Sequence, residues 1–457
     1  MKNAIYSLAT ALLVGAFATS CTENDDPIEV QTSTAIEISG NITSRTMRAS
    51  EKYILKGSVF VKAGQVLTIE PGTVIFGDRA TKGTLIIERG GRIEANGTAE
   101  KPIVFTSASP RNERDRGDWG GLVILGSANV NVPDPAIEGI TPAVNYGGTN
   151  DADNSGTLNY VRVEYAGIEL SVNNETNSIT MGGVGSGTTI TNCQTSFGGD
   201  DGFEWFGGSV NGRNLIAFGM WDDSFDIDFG FSGKLQFLLD VRGSSADQSG
   251  SNGIEADSNA NDNATTLPTT AVISNYTSVG PRLTATQSIN GNFQHCIDLR
   301  RRVAMSLGNS VMIGYPRGMR MNQQSVFDNY TAGTGVLVNN ILVADLLPFA
   351  VGSGMTATAT TVQTLWNATN TTITTNDFAA NFAALGIDPT VNLGSILPEQ
   401  YASNPNFAVT TGTLVSGAAF TNTRFATGFQ AVTYRGAFGA TDWTDGWAEF
   451  RPNAKNY

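Results

Sequence analysis

The stretch GGDDGFEWFGG, Gly198 to Gly208, sets three carboxylates (Asp200, Asp201, Glu204) and three aromatics (Phe203, Trp205, Phe206) between pairs of glycines. A related phrase, WDDSFDIDFG, follows at Trp221 to Gly230, with Asp201 and Asp223 standing 22 residues apart. With Asp201 as the ruler, five segments fall into line: DGFEWF (201–206), DSFDID (223–228), NGIEAD (252–257), HCIDLR (295–300) and RGMRMN (317–322). The third position reads Phe203, Phe225, Ile254, Ile297, Met319; the fifth reads Trp205, Ile227, Ala256, Leu299, Met321. All are apolar, and the positions between and after them are mostly polar. Alternation of this kind marks a strand with one buried face.

A second strand precedes each phrase: TITNCQT (189–195), NLIAFGM (214–220), KLQFLLD (234–240), AVISNYT (271–277) and SVMIGY (310–315). The unit is strand, turn, strand, return. A coil of about 22 residues stacked on itself is an all-β solenoid, a single-stranded parallel β-helix. The wider steps of 29 and 43 residues hold polar inserts, RGSSADQSGS, SNANDNATTLPTT and GPRLTATQSINGNFQ, which read as loops leaving the coil. YILKGSVFVKAGQVLTIEPGTVIFG and TLIIERGGRIEANG extend the plan toward the N-terminus. The solenoid is expected over 51–430. A Trp-rich capping segment follows at 431–457, and TNDFAANFAALG reads as a short helix near the far end.

The chain has 457 residues, a formal charge of −14, 52 Gly and 15 Pro, which fits a turn-rich β protein. An acidic balance argues against nucleic acid as partner. At the N-terminus Lys2 precedes the short apolar run AIYSLATALLVGAFA, and small residues lead to Cys21. Residues 1–20 resemble a bacterial lipoprotein signal peptide, with Cys21 as the lipidated residue. The acidic run TENDD behind it resembles a surface-export signal of Bacteroidota lipoproteins, and 21–50 reads as a flexible tether. These features imply a lipid anchor in the outer membrane, facing the cell exterior. Cys193 and Cys296 are expected to be free, buried thiols.

GTAEKPIVFTS (97–107), RGDWGGLVILGSA (116–128), VGSGTTITNCQTSFGGDDGFEWFGG (184–208), DDSFDIDFGFSGKLQF (222–237) and the tryptophan-rich end are similar to a family of right-handed parallel β-helix lipoproteins of Bacteroidota. That family is distantly related to the pectate-lyase-like superfamily. The superfamily includes polysaccharide lyases, hydrolases and adhesins, so the resemblance implies fold and location and leaves chemistry open.

Stacked coils lie about 4.8 Å apart, so equivalent residues form columns. One outward column is Glu204, Asp226, Glu255, Asp298, Arg320; a second is Phe206, Asp228, Asp257, Arg300, Asn322; a third, at the strand entry, is Asp201, Asp223, Asn252, His295, Arg317. Carboxylates this close either hold protons or share a cation. Calcium takes several oxygen ligands, and Glu204, Asp226, Asp228, Glu255 and Asp257 are the candidate metal ligands. Phe206, Trp221, Asp223, His295 and Tyr315 are candidate ligand-binding residues.

Three functional readings stand open. The first is capture of a glycan or a cationic ligand along this acidic and aromatic face, with calcium and beside a TonB-dependent outer-membrane transporter. The second is a calcium-dependent polysaccharide lyase with Arg300, Arg302 or Arg320 as base. The third is a glycoside hydrolase using paired carboxylates, Asp201 and Asp223 foremost among the Asp-Asp pairs. His295 is the sole histidine, which removes a histidine-rich zinc site.

Overall fold

The computed structural model describes residues 35–171, 174–394 and 396–457. The signal segment, Cys21 and the acidic run behind it lie outside the described residues. Twenty-four strands form one continuous parallel sheet wound into a right-handed β-helix. Strand follows strand in the expected register: Phe203 pairs with Phe225, Phe225 with Ile254, Ile254 with Ile297 and Ile297 with Met319. All five are fully buried in the interior stack, together with Trp205. Their rings pile along the axis, with Phe203 and Phe225 centroids 5.6 Å apart and those of Trp205 and Phe231 5.4 Å apart. A one-residue slip would turn this entire apolar set outward, so the interior holds the register across inserts of unequal length.

The longer strand of each coil, such as Thr189–Ser196, Asn211–Phe218 and Val272–Val279, bends once at a left-handed residue. Asn192, Asn214, Phe237 and Asn275 occupy this corner with φ between 51° and 60°. Three of the four are asparagine, which tolerates that region better than most side chains. The corner turns one strand onto two faces of the coil. Cys193 and Cys296 are free thiols inside it.

Two boundaries differ from the sequence reading. The first strand, Ile36–Ile42, already pairs with Lys52–Val61, so part of the expected 21–50 tether belongs to the solenoid. The last coil strand is Thr371–Ile373, well short of residue 430. The helix Ala359–Asn367 closes that end, with Val362 and Trp366 packed into the core and Trp366 against Phe349.

From the helix Phe378–Leu385 onward the chain runs back along the side of the solenoid. The tryptophan-rich end is thus a lateral strap over the outer face of the bent strands, not an end cap. Phe218 meets both Tyr401 and Phe450 at 5.1 Å, and Gln194 exchanges two hydrogen bonds with the Glu449 backbone at 2.7 and 2.8 Å. The outward apolar residues of the bent strands bury there because the strap supplies their partners.

A second cover lies over the N-proximal coils. The long connection between Leu122–Leu125 and Gly156–Glu164 folds Ile137, Ile140, Val144 and Tyr146 onto the outward-facing Phe60, Ile86, Val123 and Leu125. This roof ends beside the strand that carries Glu204.

Candidate functional site

The outward side chains of the short strands form the expected ridge, with Glu204 beside Asp226, Asp226 beside Glu255, Glu255 beside Asp298 and Asp298 beside Arg320. The strand-entry column has a different job from the one its acids suggest. The backbone N–H of Asp223 donates to Asp201 Oδ1 at 2.8 Å, the N–H of Asn252 donates to Asp223 Oδ1, and the N–H of His295 donates to Asn252 Oδ1 at 3.0 Å. Each side chain caps the amide of the next coil. Asp201 and Asp223 are accordingly buried, with one oxygen each committed to the ladder, and they do not form a free acid and base pair.

Along the ridge the two ends behave differently. In the basic half, Arg300 grips Asp257 with Nε at 3.0 Å and Nη2 at 2.6 Å and also reaches Glu255. Arg301 adds a second guanidinium to Asp257, and Arg320 pairs with Asp298 with Nε at 2.8 Å. Burial alone would depress the Arg300 pKa, but Glu255 and Asp257 raise it above its usual value. The Asp298 hydrogen bond likewise raises Arg320. Arg302 points elsewhere, donating to the Asp262 carbonyl at 2.7 Å. A base must give up its proton, and Arg300 and Arg320 are held in the opposite state.

In the acidic half, carboxylate meets carboxylate. Three groups bring their oxygens within 4.8 Å of one another: Asp200, Asp201 and Asp222; Asp201, Glu204 and Asp226; Asp223, Asp226 and Glu255. Asp226 Oδ1 and Asp222 Oδ1 are buried atoms with no hydrogen-bond partner. Burial, then the neighbouring charges, pushes Asp200, Asp201, Glu204, Asp223, Asp226 and Glu255 well above the ordinary carboxylate range. Asp222 is raised to about 6 and Asp228 to about 7, burial leading in both. The donor set is all oxygen and the groups share ligands, which suits a hard cation such as calcium. Of the expected metal ligands, Glu204, Asp226 and Glu255 join these groups. Asp228 and Asp257 do not, because Asp228 takes the Phe229 N–H at 2.6 Å and Asp257 is taken by arginines.

The remaining candidates divide sharply. Phe206 is half-buried and forms an aromatic wall with Tyr146 at 6.0 Å and Phe229 at 5.5 Å. Trp221 is half-buried beside a neighbouring cleft. Tyr315 is fully buried, its hydroxyl donating to Asp240 at 2.6 Å, so it touches no surface ligand. His295 is 2% exposed, and burial, followed by Arg320 and Arg317, lowers its pKa to about 3, which leaves it a neutral structural residue.

The roof and ridge enclose a cavity of about 530 Å³, lined by Tyr146, Ile137, Asn177, Glu204, Phe206 and Phe229 among others. Asn177 donates its amide to Glu204 and helps hold the carboxylate at the cavity wall. Sequence reasoning missed the roof, although the 30 residues between flanking strands, rich in proline, were a signal for it. It also missed Arg242, fully buried behind the acids. Arg242 donates to Ser224 Oγ at 2.9 Å and to the Asn252 carbonyl at 3.1 Å, and its charge opposes the upward shift of Asp222 and Asp223.

Residues 40–388 match the pectate-lyase-like β-helix domain, and the chain belongs to that family. Among solved structures, the crystal structure of pectate lyase Pel9A is similar at 12% identity and a TM-score of 0.42, covering 87% of this chain and 98% of its own. No curated protein matches.

Proposed function

We propose that this protein is a binding β-helix that captures a glycan or a cationic ligand over its acidic ridge, with calcium held by the stacked carboxylates. One observation carries the reading: Asp226 belongs to two carboxylate groups on adjacent coils, and one of its oxygens is buried without a partner. A cation at either group would take that oxygen and offset the mutual repulsion. The cavity beside it has an aromatic wall at Phe206 and Phe229, the apolar surface on which a sugar ring stacks, with Glu204 to accept hydroxyls.

The alternative, a calcium-dependent lyase or a hydrolase, draws no support from the ridge. Arg300 and Arg320 are committed to ion pairs and the Asp201 and Asp223 carboxylates to the backbone ladder. The lipid anchor at Cys21, the outer-membrane surface and a neighbouring TonB-dependent transporter belong to the same proposal, supported by the signal-like N-terminus.

The test is calorimetric titration of the protein with calcium chloride after chelator treatment, followed by a glycan array with and without calcium. Wild type is expected to bind calcium and Asp226→Asn to lose most of that affinity. A hundredfold excess over Kd stabilises the fold by about 2.7 kcal/mol. No binding heat, no change in Tm and array signals indifferent to chelator would reject the calcium reading.

A further inference from the structure

A larger cleft, about 900 Å³, opens on the other side of Asp200 from the roofed cavity. Its lining is of both signs. Arg79, Lys82 and Arg116 supply the cations and Glu169, Glu175, Asp200, Asp222 and Asp247 the acids, with Trp221 among them. Opposite charges sharing a cavity ordinarily close on each other. Here, among the described residues, Arg116 forms no ion pair, and neither do Asp222 and Asp247.

Arg116 is half-buried, with its guanidinium 5.4 Å from the Phe197 ring centre, donating to the Gly219 carbonyl and to Ser245 Oγ at 3.1 Å. These partners are neutral. Burial, then Arg242, lowers its pKa to about 10, the response of a cation short of compensation. On the acidic side Ser249 Oγ lies 2.9 Å from Asp222 Oδ2 and 2.7 Å from Asp247 Oδ2, so its single proton is shared between two carboxylates gathered around one hydroxyl. Asp222 Oδ1 is left without a partner.

One loop therefore carries both poles. Ser245 holds the cation, and Asp247 and Ser249 hold the anions. Ser245 and Asp247 are two residues apart, so no more than about 7 Å of chain separates them. Trp221 supplies a flat apolar surface at the same cleft.

We propose that this cleft binds an amino sugar that carries an anionic group, with its ammonium at Asp222 and Asp247, its phosphate or carboxylate at Arg116 with Arg79 at the lip, and its ring on Trp221. The two charges of such a ligand complete Arg116 on one side and Asp222 with Asp247 on the other, which have no ion-pair partner among the described residues, whereas Arg79 already pairs with Asp118 at 3.3 Å. Arg116, Asp247 and Trp221 take no part in the calcium groups; Asp222 belongs to one of them, with Asp200 and Asp201, which is why the probes are tested on chelator-treated protein.

The experiment uses chelator-treated protein and three probes: glucosamine 6-phosphate, glucose 6-phosphate and glucosamine, each followed by calorimetry and by tryptophan fluorescence. Glucosamine 6-phosphate is expected to bind at least tenfold more tightly than either single-charge probe. Asp247→Asn is expected to erase its advantage over glucose 6-phosphate, and Arg116→Gln its advantage over glucosamine. Arg79→Gln tests the anionic pole at the lip; because Arg79 also pairs with the buried Asp118 at 3.3 Å, its Tm is measured first and Arg79→Lys, which keeps the charge, is expected to retain binding. Equal affinity for all three probes, no binding of glucosamine 6-phosphate, or full affinity in both Asp247→Asn and Arg79→Gln would overturn the assignment.

Discussion

The two halves of the ridge share a backbone and differ in what their outward side chains meet. Between Glu204 and Glu255 each carboxylate faces another on the next coil. Beyond Glu255 the acids face guanidinium groups, Arg300 for Glu255 and Asp257 and Arg320 for Asp298. The interior column continues through both halves without change. A solenoid thus separates the task of holding register, done inside, from the distribution of charge outside. The acidic half has carboxylates facing carboxylates, whereas in the basic half Asp257 and Asp298 each have a guanidinium partner, although Asp257 Oδ1 accepts no hydrogen bond. Unsatisfied charge next to a cavity is where a ligand has something to gain.

The sharpest way to break the comparison is to attack what the halves share. Phe225→Asp places a charge in the aromatic stack, losing about 1.5–3 kcal/mol of burial and adding an unpaired buried carboxylate. It is expected to abolish folding, read as loss of the β circular-dichroism signal and of soluble protein. The adjacent Asp226→Asn, one residue along the same strand, is expected to fold.

Next in size is the basic half. Arg300→Met leaves Glu255 and Asp257 with much less compensation in a mostly buried setting, and a broken buried pair costs about 3–5 kcal/mol. Urea denaturation is expected to show that loss. If Arg300→Met matches wild type in stability, the contrast between the halves fails.

A smaller effect separates them by pH. Asp222 at about 6 and Asp228 at about 7 lie above the value of about 3.9 for an unfolded chain. Over that interval the folded protein holds more protons than the unfolded one, so metal-free stability falls as pH rises. The contribution is whole below about pH 4 and gone above about pH 7. Thermal melts in chelator are expected to show Tm declining across that window, less steeply in Asp226→Asn, and calcium is expected to restore Tm most at the upper end. A Tm that rises from pH 4 to 7 in chelator would reverse the argument.

The smallest effect expected is at the sole histidine. With its pKa lowered to about 3, His295 carries no charge change near neutrality. His295→Gln is expected to leave the shape of the pH profile between about 5 and 8 unaltered. A lost inflection near 6 would show that the histidine titrates after all.

Much of the fold was legible because the phrase around Asp201 alternates apolar and polar residues with period two. The polar inserts could therefore be set aside without losing register. The ridge columns followed directly from that register. Other features depend on contacts that no local pattern encodes. Tyr315 and Phe206 are both aromatic, yet one points into the coil and the other onto the roof. Asp201 and Asp223 look like free acids until the amide of the following coil is placed against each. Arg242 opens a polar insert in the sequence, and only the turn after Lys234–Val241 drives it inward. The strap looked like an end cap because tryptophan reports burial and not direction.

That strap has a mechanical consequence. In a repeat array whose units touch only their neighbours, stability is a sum of local terms and the ends can peel one unit at a time. Here residues far along the chain clamp several coils at once. Glu449 is tied to Gln194, Tyr401 and Phe450 lie on Phe218, and the Gly436 carbonyl accepts from Asn275. Peeling from the helix-capped end must therefore strip the strap from coils that are still intact. The strap acts as a splint, turning a stack that could fray gradually into one that resists traction until it fails as a block.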